Sequence, residues 1–248
     1  MPNSKKYLAV FDLTILIYAN YHIVRSFGNI VPEKFYPRVQ QQIQNILLEI
    51  QKKYPISSYL ICIDSHNFRK DFFDDYKAQR EPNLEIEALK PGVIQYLISE
   101  DEPIQGFDGL ESDDLLYLNS LKYENTILVS NDNDCLLMLQ KPTTIFYKYQ
   151  SKKFISDEID YKLETVKKVL LGDVKDNVPR ILPKGLGEAY VNKIYKENNG
   201  IPSQVYKSIF KDDFQKLEEV KRNTTLVQYN LKIYHNQISN FNNIWEQI

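Results

Sequence analysis

The sequence predicts an α/β fold with a mainly parallel central sheet and a helical C-terminal part, and three observations carry this reading. Three short apolar runs, at 7–11, 58–63 and 126–130, show no helical period, and each stops at an aspartate: Asp12, Asp64 and Asp132. Runs of that length, apolar on both faces, suit inner strands of a parallel sheet. Between the first two lies a helical pattern, and beyond Gly172 the chain turns helical and polar.

Residues 7–11 form the first expected strand. Residues 33–53 place Val39, Ile43, Ile46, Leu47 and Ile50 at helical spacing, and Pro55 closes that helix. The second strand follows at 58–63 and a weaker one at 104–107, before the acidic group Glu111-Ser112-Asp113-Asp114 opens a helix over 115–121. The third apolar run is 126–130, and a further strand is expected at 144–147. Asp157 is placed to cap a helix running to Leu171, with Gly172 as its stop signal. Turn signals at Pro183, Gly185, Gly187 and Gly200 divide the helices that follow, and the Asn- and Tyr-rich stretch 223–248 keeps enough Ile, Leu and Trp245 to pack as helices. The expected division is a core over 1–155 and a helical part over 156–248.

Composition sets limits. The 248 residues include 31 Lys+Arg and 33 Asp+Glu, a net charge of −2, with 43% hydrophobic residues. Such a chain buries a core and is neither disordered nor low in complexity. Cys62 and Cys135 are too few for a disulfide framework and sit in or beside apolar runs, so they read as buried thiols in a reducing compartment. The start leads into only five apolar-rich residues before Asp12, and no stretch approaches the ~18 apolar residues of a membrane span. The expectation is a cytoplasmic protein without a membrane partner.

Ligands in open α/β sheets bind outside the carboxyl ends of the strands. Asp12, Asp64 and Asp132 occupy that edge, joined by Asp134, by Glu111, Asp113 and Asp114, and by Asp173 and Asp176 just past a helix end. A single Asp at a strand end is commonly a cap or turn residue, and Asp113-Asp114 suits a helix N-terminus on dipole grounds. Nine carboxylates arriving in five places are harder to explain that way. They would repel unless cations neutralise them, and hard oxygen donors without His or Cys companions point to Mg²⁺ or Mn²⁺. Two such ions suit phosphodiester hydrolysis, in which one activates water and both stabilise charge. An EF-hand at 132–143 fails, because its sixth position is Leu137 and its twelfth Thr143.

Two segments read as substrate-binding. On a helix, Lys77 and Arg80 would lie on one face beside Phe73 and Tyr76, giving cations next to surfaces on which a base stacks. The alternative is an amphipathic helix whose aromatics face the core; the position directly after Asp64 favours the first. Lys184, Gly185 and Gly187, in the turn 183–187 ahead of a helix at 189–195, would expose backbone N–H groups to a phosphate. Alone, that turn is equally a helix connector. Setting the nine acids aside leaves 31 basic against 24 acidic residues, so a near-neutral total conceals a basic remainder suited to nucleic acid.

Together these motifs resemble the 5′-nuclease superfamily of flap endonucleases, polymerase-associated 5′–3′ exonucleases and phage RNase H-type enzymes. The resemblance rests on Val10-Phe11-Asp12; on Cys62-Ile63-Asp64 with Arg69-Lys70-Asp71-Phe72 and Tyr76-Lys77-x-x-Arg80; on Glu111-x-Asp113-Asp114; on Ser130-Asn131-Asp132-x-Asp134; and on Gly172-Asp173-x-x-Asp176-Asn177-Val178-Pro179. It is closest in look to the phage members. It implies a resolvase-like (PIN-like) core and a helix-three-turn-helix in the C-terminal part. In that reading Asp12, Asp64, Glu111 and Asp113 hold one metal, Asp132, Asp134 and Asp173 a second, and Asp114 and Asp176 support them.

The resemblance also implies that Lys77 and Arg80 engage the scissile phosphate, within a helical arch region near 65–105, and that Arg69, Lys70 and Tyr76 contact DNA. It implies a duplex-gripping turn over 181–194, with K⁺ as a further cofactor, although Pro179 to Gly187 is about two residues longer than the family's compact stretch. The implied protein is a monomeric Mg²⁺-dependent 5′ nuclease acting on DNA with a 5′ flap or 5′ end. RNA–DNA hybrids and replication proteins are further partners. The alternative is a catalytically inactive DNA-structure-binding relative.

Overall fold

The computed structural model describes residues 5–156 and 159–248. Packing divides the chain into two units. The first takes its described residues from Met1–His66, Pro82–Glu158 and Asn240–Ile248, and the second from Asn67–Glu81 and Ile159–Ser239.

The first unit is built on a six-stranded sheet. Its strands are β1 (Tyr7–Asp12), β2 (Ile56–Cys62), β3 (Ile104–Gln105), β4 (Thr126–Ser130), β5 (Thr144–Lys148) and β6 (Lys153–Ile155), in the order β3-β2-β1-β4-β5-β6. All pairs are parallel except β5 with β6. Phe11 stands opposite Ile61 on one side and Val129 on the other, which aligns the carboxyl ends of the three inner strands. Ala9, Val10, Phe11, Ile127, Leu128 and Val129 have no exposed surface, because both faces of the sheet are covered.

Helices α1 (Leu13–Arg25), α2 (Pro32–Gln51) and α4 (Leu84–Ser99) share one core with the sheet, while α5 (Ser112–Lys122) is buried on nearly every side from Leu115 to Ser120. The stripe Val39, Ile43, Ile46, Leu47 and Ile50 is buried as its spacing requires. A 3₁₀ turn occupies Asn133–Met138, and α11 (Phe241–Gln247) completes this unit.

The second unit holds α3 (Phe68–Phe72), α6 (Tyr161–Leu171), α7 (Glu188–Glu197), α8 (Pro202–Phe210), α9 (Phe214–Val227) and α10 (Leu231–Gln237). Val166, Val169 and Leu170 of α6 meet Val191, Val205, Val220 and Leu226 in its core. No helix among the described residues is long and apolar enough to cross a membrane.

Several local expectations are corrected. The weak strand at 104–107 shortens to Ile104–Gln105, and the antiparallel edge β6 is an addition. Asp157 lies outside the described residues; the cap of α6 is Asp160, whose carboxylate accepts from Lys162 N and Leu163 N, each at 3.1 Å. The helix expected to carry Lys77 and Arg80 does not form. α3 ends at Phe72, Phe73 is extended, and Lys77 takes a left-handed φ of 56°. Tertiary bonds override helix propensity here, since the Lys77 N–H donates to the Asp176 carbonyl at 3.0 Å.

Candidate active site

From β1 the chain builds outward first through β2 and β3, then returns to add β4 on the other side. The gap between the ends of β1 and β4 is therefore a topological switch point, where open α/β sheets bind ligands. Asp12 ends β1 at this gap and is only 3% exposed. Its Oδ1 accepts from Ile15 N at 3.2 Å, capping α1, and from Ser112 Oγ at 3.1 Å. Its Oδ2 accepts from Ser130 Oγ, at the end of β4, at 3.2 Å.

Ser112 ties this aspartate to the next one. While its hydroxyl serves Asp12, its backbone N–H donates to Asp64 Oδ1 at 2.9 Å, and Thr14 Oγ1 donates to Asp64 Oδ2 at 2.5 Å. On the other side Ser130 Oγ accepts from Asp132 N at 3.2 Å, and Asp132 Oδ1 accepts from Asp134 N at 3.0 Å, opening the 3₁₀ turn. Glu111 caps α5 in a reciprocal box with Asp114, whose Oδ2 accepts the Glu111 N–H at 3.0 Å. Capping and clustering thus coexist, because the same carboxylates that start helices also crowd the sheet edge.

The electrostatics record the crowding. Burial, followed by the charge of Asp64, pushes the Asp12 carboxyl up from 3.8 to about 7, against the pull of its three hydrogen bonds. Desolvation acts the same way on Asp64, yet donors from Thr14 and Ser112, with the Lys90 charge, hold that group below the usual range. Burial pushes the Cys62 and Cys135 thiols well up; Asp12, Asp113 and Asp64 add to this at Cys62, and Asp113, Asp12, Asp132 and Asp134 at Cys135. The fields of five aspartates therefore overlap at two buried thiols. Both thiols are held in the protonated form by these surroundings and have no exposed surface, as buried packing residues do. The remaining donors are all oxygen, so the set fits hard divalent cations and not a thiolate zinc site.

In the second unit, Asp173 and Val178 form an isolated antiparallel bridge, with Asp173 N to Val178 O at 3.0 Å and Val178 N to Asp173 O at 2.8 Å. Gly172 enters this loop at φ 76°, where a Cβ would lie 2.5 Å from Val178 O. Asp173 is held by Lys168 Nζ at 2.8 Å and by Lys175 N at 2.9 Å, which keeps its carboxyl below the usual range despite burial. Asp176 pairs with the Arg80 guanidinium and accepts from Tyr76 Oη at 3.1 Å; Arg80 Nε also donates to Lys175 O at 3.1 Å. Lys77, Arg80, Asp173 and Asp176 are thus brought together, though through a turn and not a helix face.

Two residues expected at the nucleic-acid surface sit elsewhere. Tyr76 is 4% exposed in the core of the second unit and has no face for a base. Arg69 is 2% exposed, with its guanidinium 4.6 Å from the Phe68 ring and Nε donating to Leu226 O at 3.0 Å, so it is a packing residue. Lys70, Lys184, Gly185 and Gly187 are exposed. Ser112, Ser130 and Lys168 were not anticipated. The signals that could have found them are a serine inside the acidic group, a serine ending a strand just before Asp132, and a lysine in the last helical turn before Asp173.

A model of the 5′–3′ exonuclease N-terminal resolvase-like domain matches residues 7–168. The chain belongs to this family. Its sheet, with the acids at the carboxyl edge, is the resolvase-like domain of that family. Among solved structures, the phage T5 5′-exonuclease with bound zinc is 20% identical with a TM-score of 0.72, over 98% of both chains. The phage T5 flap endonuclease in complex with DNA and metal ions is 19% identical with a TM-score of 0.69, again over 98% of both. The catalytic core of Rad2 with DNA substrate is 14% identical with a TM-score of 0.52, over 94% of this chain and 88% of that one. At these identities the likeness is one of fold. A search of curated protein sequences finds no match.

Proposed function

We propose that this family member is a Mg²⁺-dependent, structure-selective nuclease that hydrolyses phosphodiesters at 5′ ends and 5′ flaps of DNA and removes RNA primers from hybrids. The observation that carries the reading is Asp12, buried at the switch point and tied through one serine to Asp64. Asp12, Asp64, Glu111, Asp113, Asp132 and Asp134 are the ligands of divalent ions in this reading, Asp114 supports them, and Asp173 and Asp176 are the further acids. When bound, such ions act as Lewis acids toward the phosphate and activate water. Mn²⁺ is the expected substitute, since it shares the preference for oxygen donors.

The chain's own groups do the rest. Ser112 and Ser130 fix both carboxylate oxygens of Asp12 and leave it no freedom to rotate away from the gap. Lys77 and Arg80 attract the phosphate electrostatically; half of the Arg80 side chain stays exposed although it is paired. The turn 183–187 and the start of α7 offer backbone N–H groups to a duplex strand without reading its sequence, the role of a helix-three-turn-helix. The working form is a monomer that meets other replication proteins on DNA in the cytoplasm. Incubation with a 5′-flap duplex should release a 5′ fragment with Mg²⁺ and none in excess EDTA. Equal cleavage under both conditions would refute the reading.

A further inference from the structure

The turn leading into α7 contains its own cation. Ile181 N and Leu182 N both donate to Leu170 O, at 3.0 and 3.1 Å, and their side chains are buried, so the chain is pinned to the end of α6. Arg180, just before this anchor, folds its side chain forward over the loop that follows. Its Nε donates to Leu182 O at 3.0 Å, and its Nη2 reaches Pro183 O at 3.5 Å and also Leu186 O. Three backbone carbonyls thus converge on one guanidinium. Leu186 N closes the turn on Pro183 O at 3.3 Å, with Gly185 at φ 95°. Gly187 then starts α7 with no side-chain cap, leaving that helix start reliant on how the turn is held.

We propose that Arg180 is a positioning residue that serves as the built-in cation of this turn, so that Lys184, Gly185 and Gly187 are presented to a DNA phosphate without bound K⁺. The guanidinium suits the task, because it is permanently charged and its donors lie in a rigid plane. The K⁺ that the family resemblance implies does not fit. The three carbonyls that this turn gathers already accept from a charged group, and a second cation beside that group would be repelled. Only the DNA-binding part of the inference rests on the proposed function.

The test needs no catalysis. Hydrogen exchange of the amides over 184–191 should be the same in KCl and in tetramethylammonium chloride for the natural protein. Arg180→Gln should speed that exchange by about tenfold, as expected for losing charge-assisted hydrogen bonds, and K⁺ or low guanidinium, but not tetramethylammonium, should restore part of the protection. If Arg180→Gln fails to fold, Arg180→Lys, which keeps the charge without the fork, should show a smaller effect of the same pattern. Duplex binding in EDTA should vary by less than about twofold between the two salts at equal ionic strength. Unchanged exchange in Arg180→Gln, or protection in the natural protein that depends on K⁺, would overturn the proposal. Exchange results as expected with no duplex binding at all would instead sink the nuclease reading and leave the role of Arg180 standing.

Discussion

The two units neutralise their acids by different means. At the sheet edge, Asp12 is surrounded by hydroxyls, a backbone N–H and other carboxylates, and its carboxyl rises to about 7. In the loop after α6, Asp173 faces Lys168 and Asp176 faces Arg80, and the Asp173 carboxyl is held below the usual range. One arrangement meets its buried carboxylate with neutral donors, whereas the other carries its cations in the chain. Neutral donors can orient a carboxylate, but they offset only part of the cost of burying its charge.

The largest expected effect breaks the sheet-edge side. Asp12→Asn should cut flap cleavage by several orders of magnitude while duplex binding persists, checked by single-turnover kinetics and a binding titration; a loss below about tenfold would remove Asp12 from the metal site. Next comes the loop. Gly172→Ala puts a Cβ 2.5 Å from Val178 O at φ 76° and should destabilise the protein by roughly 2–4 kcal/mol in denaturant melts.

Stability against pH sharpens the contrast. In the metal-free protein the folded pKa of Asp12, about 7, lies above its unfolded value near 3.8, so the folded state binds more protons in between. Stability from this group is therefore full below the unfolded pKa and is lost as pH rises through about 7, a loss on the order of a few kcal/mol. Asp12→Asn should flatten that decline. Asp173 acts in the opposite sense: its pKa is lowered, so its contribution is present above the unfolded pKa and disappears as pH falls through the folded one. Lys168→Met should weaken that acid-side dependence, leaving only the share from the backbone donors, and cost about 1 kcal/mol at neutral pH, visible as a small shift in the melt. The smallest effect is at Gly187, where a Cβ meets nothing within 4 Å. Gly187→Ala should leave stability within about 0.5 kcal/mol, yet weaken duplex binding if the backbone approaches phosphate closely there.

The sheet-edge region was largely legible from the sequence, because a parallel strand announces itself by an unbroken apolar run and the residue that ends it must lie at the carboxyl edge. Asp12, Asp64 and Asp132 follow from that rule alone. Ser112 was not legible, since its role depends on β1 and β2 ending side by side and bringing Asp12 and Asp64 within reach of one residue. The loop region resisted for a different reason. Residues 73–80 read as an amphipathic helix, but their conformation is set by contacts with residues 173–178, about a hundred positions away, which draw Tyr76 inward and Lys77 into a left-handed turn. Arg69 misled similarly: a cation beside aromatics reads as a phosphate contact, and only the fold shows its donor spent on Leu226 O. The edge strand β6 has three residues, too few for a pattern.

The difference between the two acidic groups is tested most directly by thermal melting at pH 8 as Mg²⁺ is added to the natural protein, to Asp12→Asn and to Lys168→Met. The account predicts a clear stabilisation of the natural protein and of Lys168→Met, and a much smaller one for Asp12→Asn. The same Mg²⁺-dependent rise in all three would contradict it.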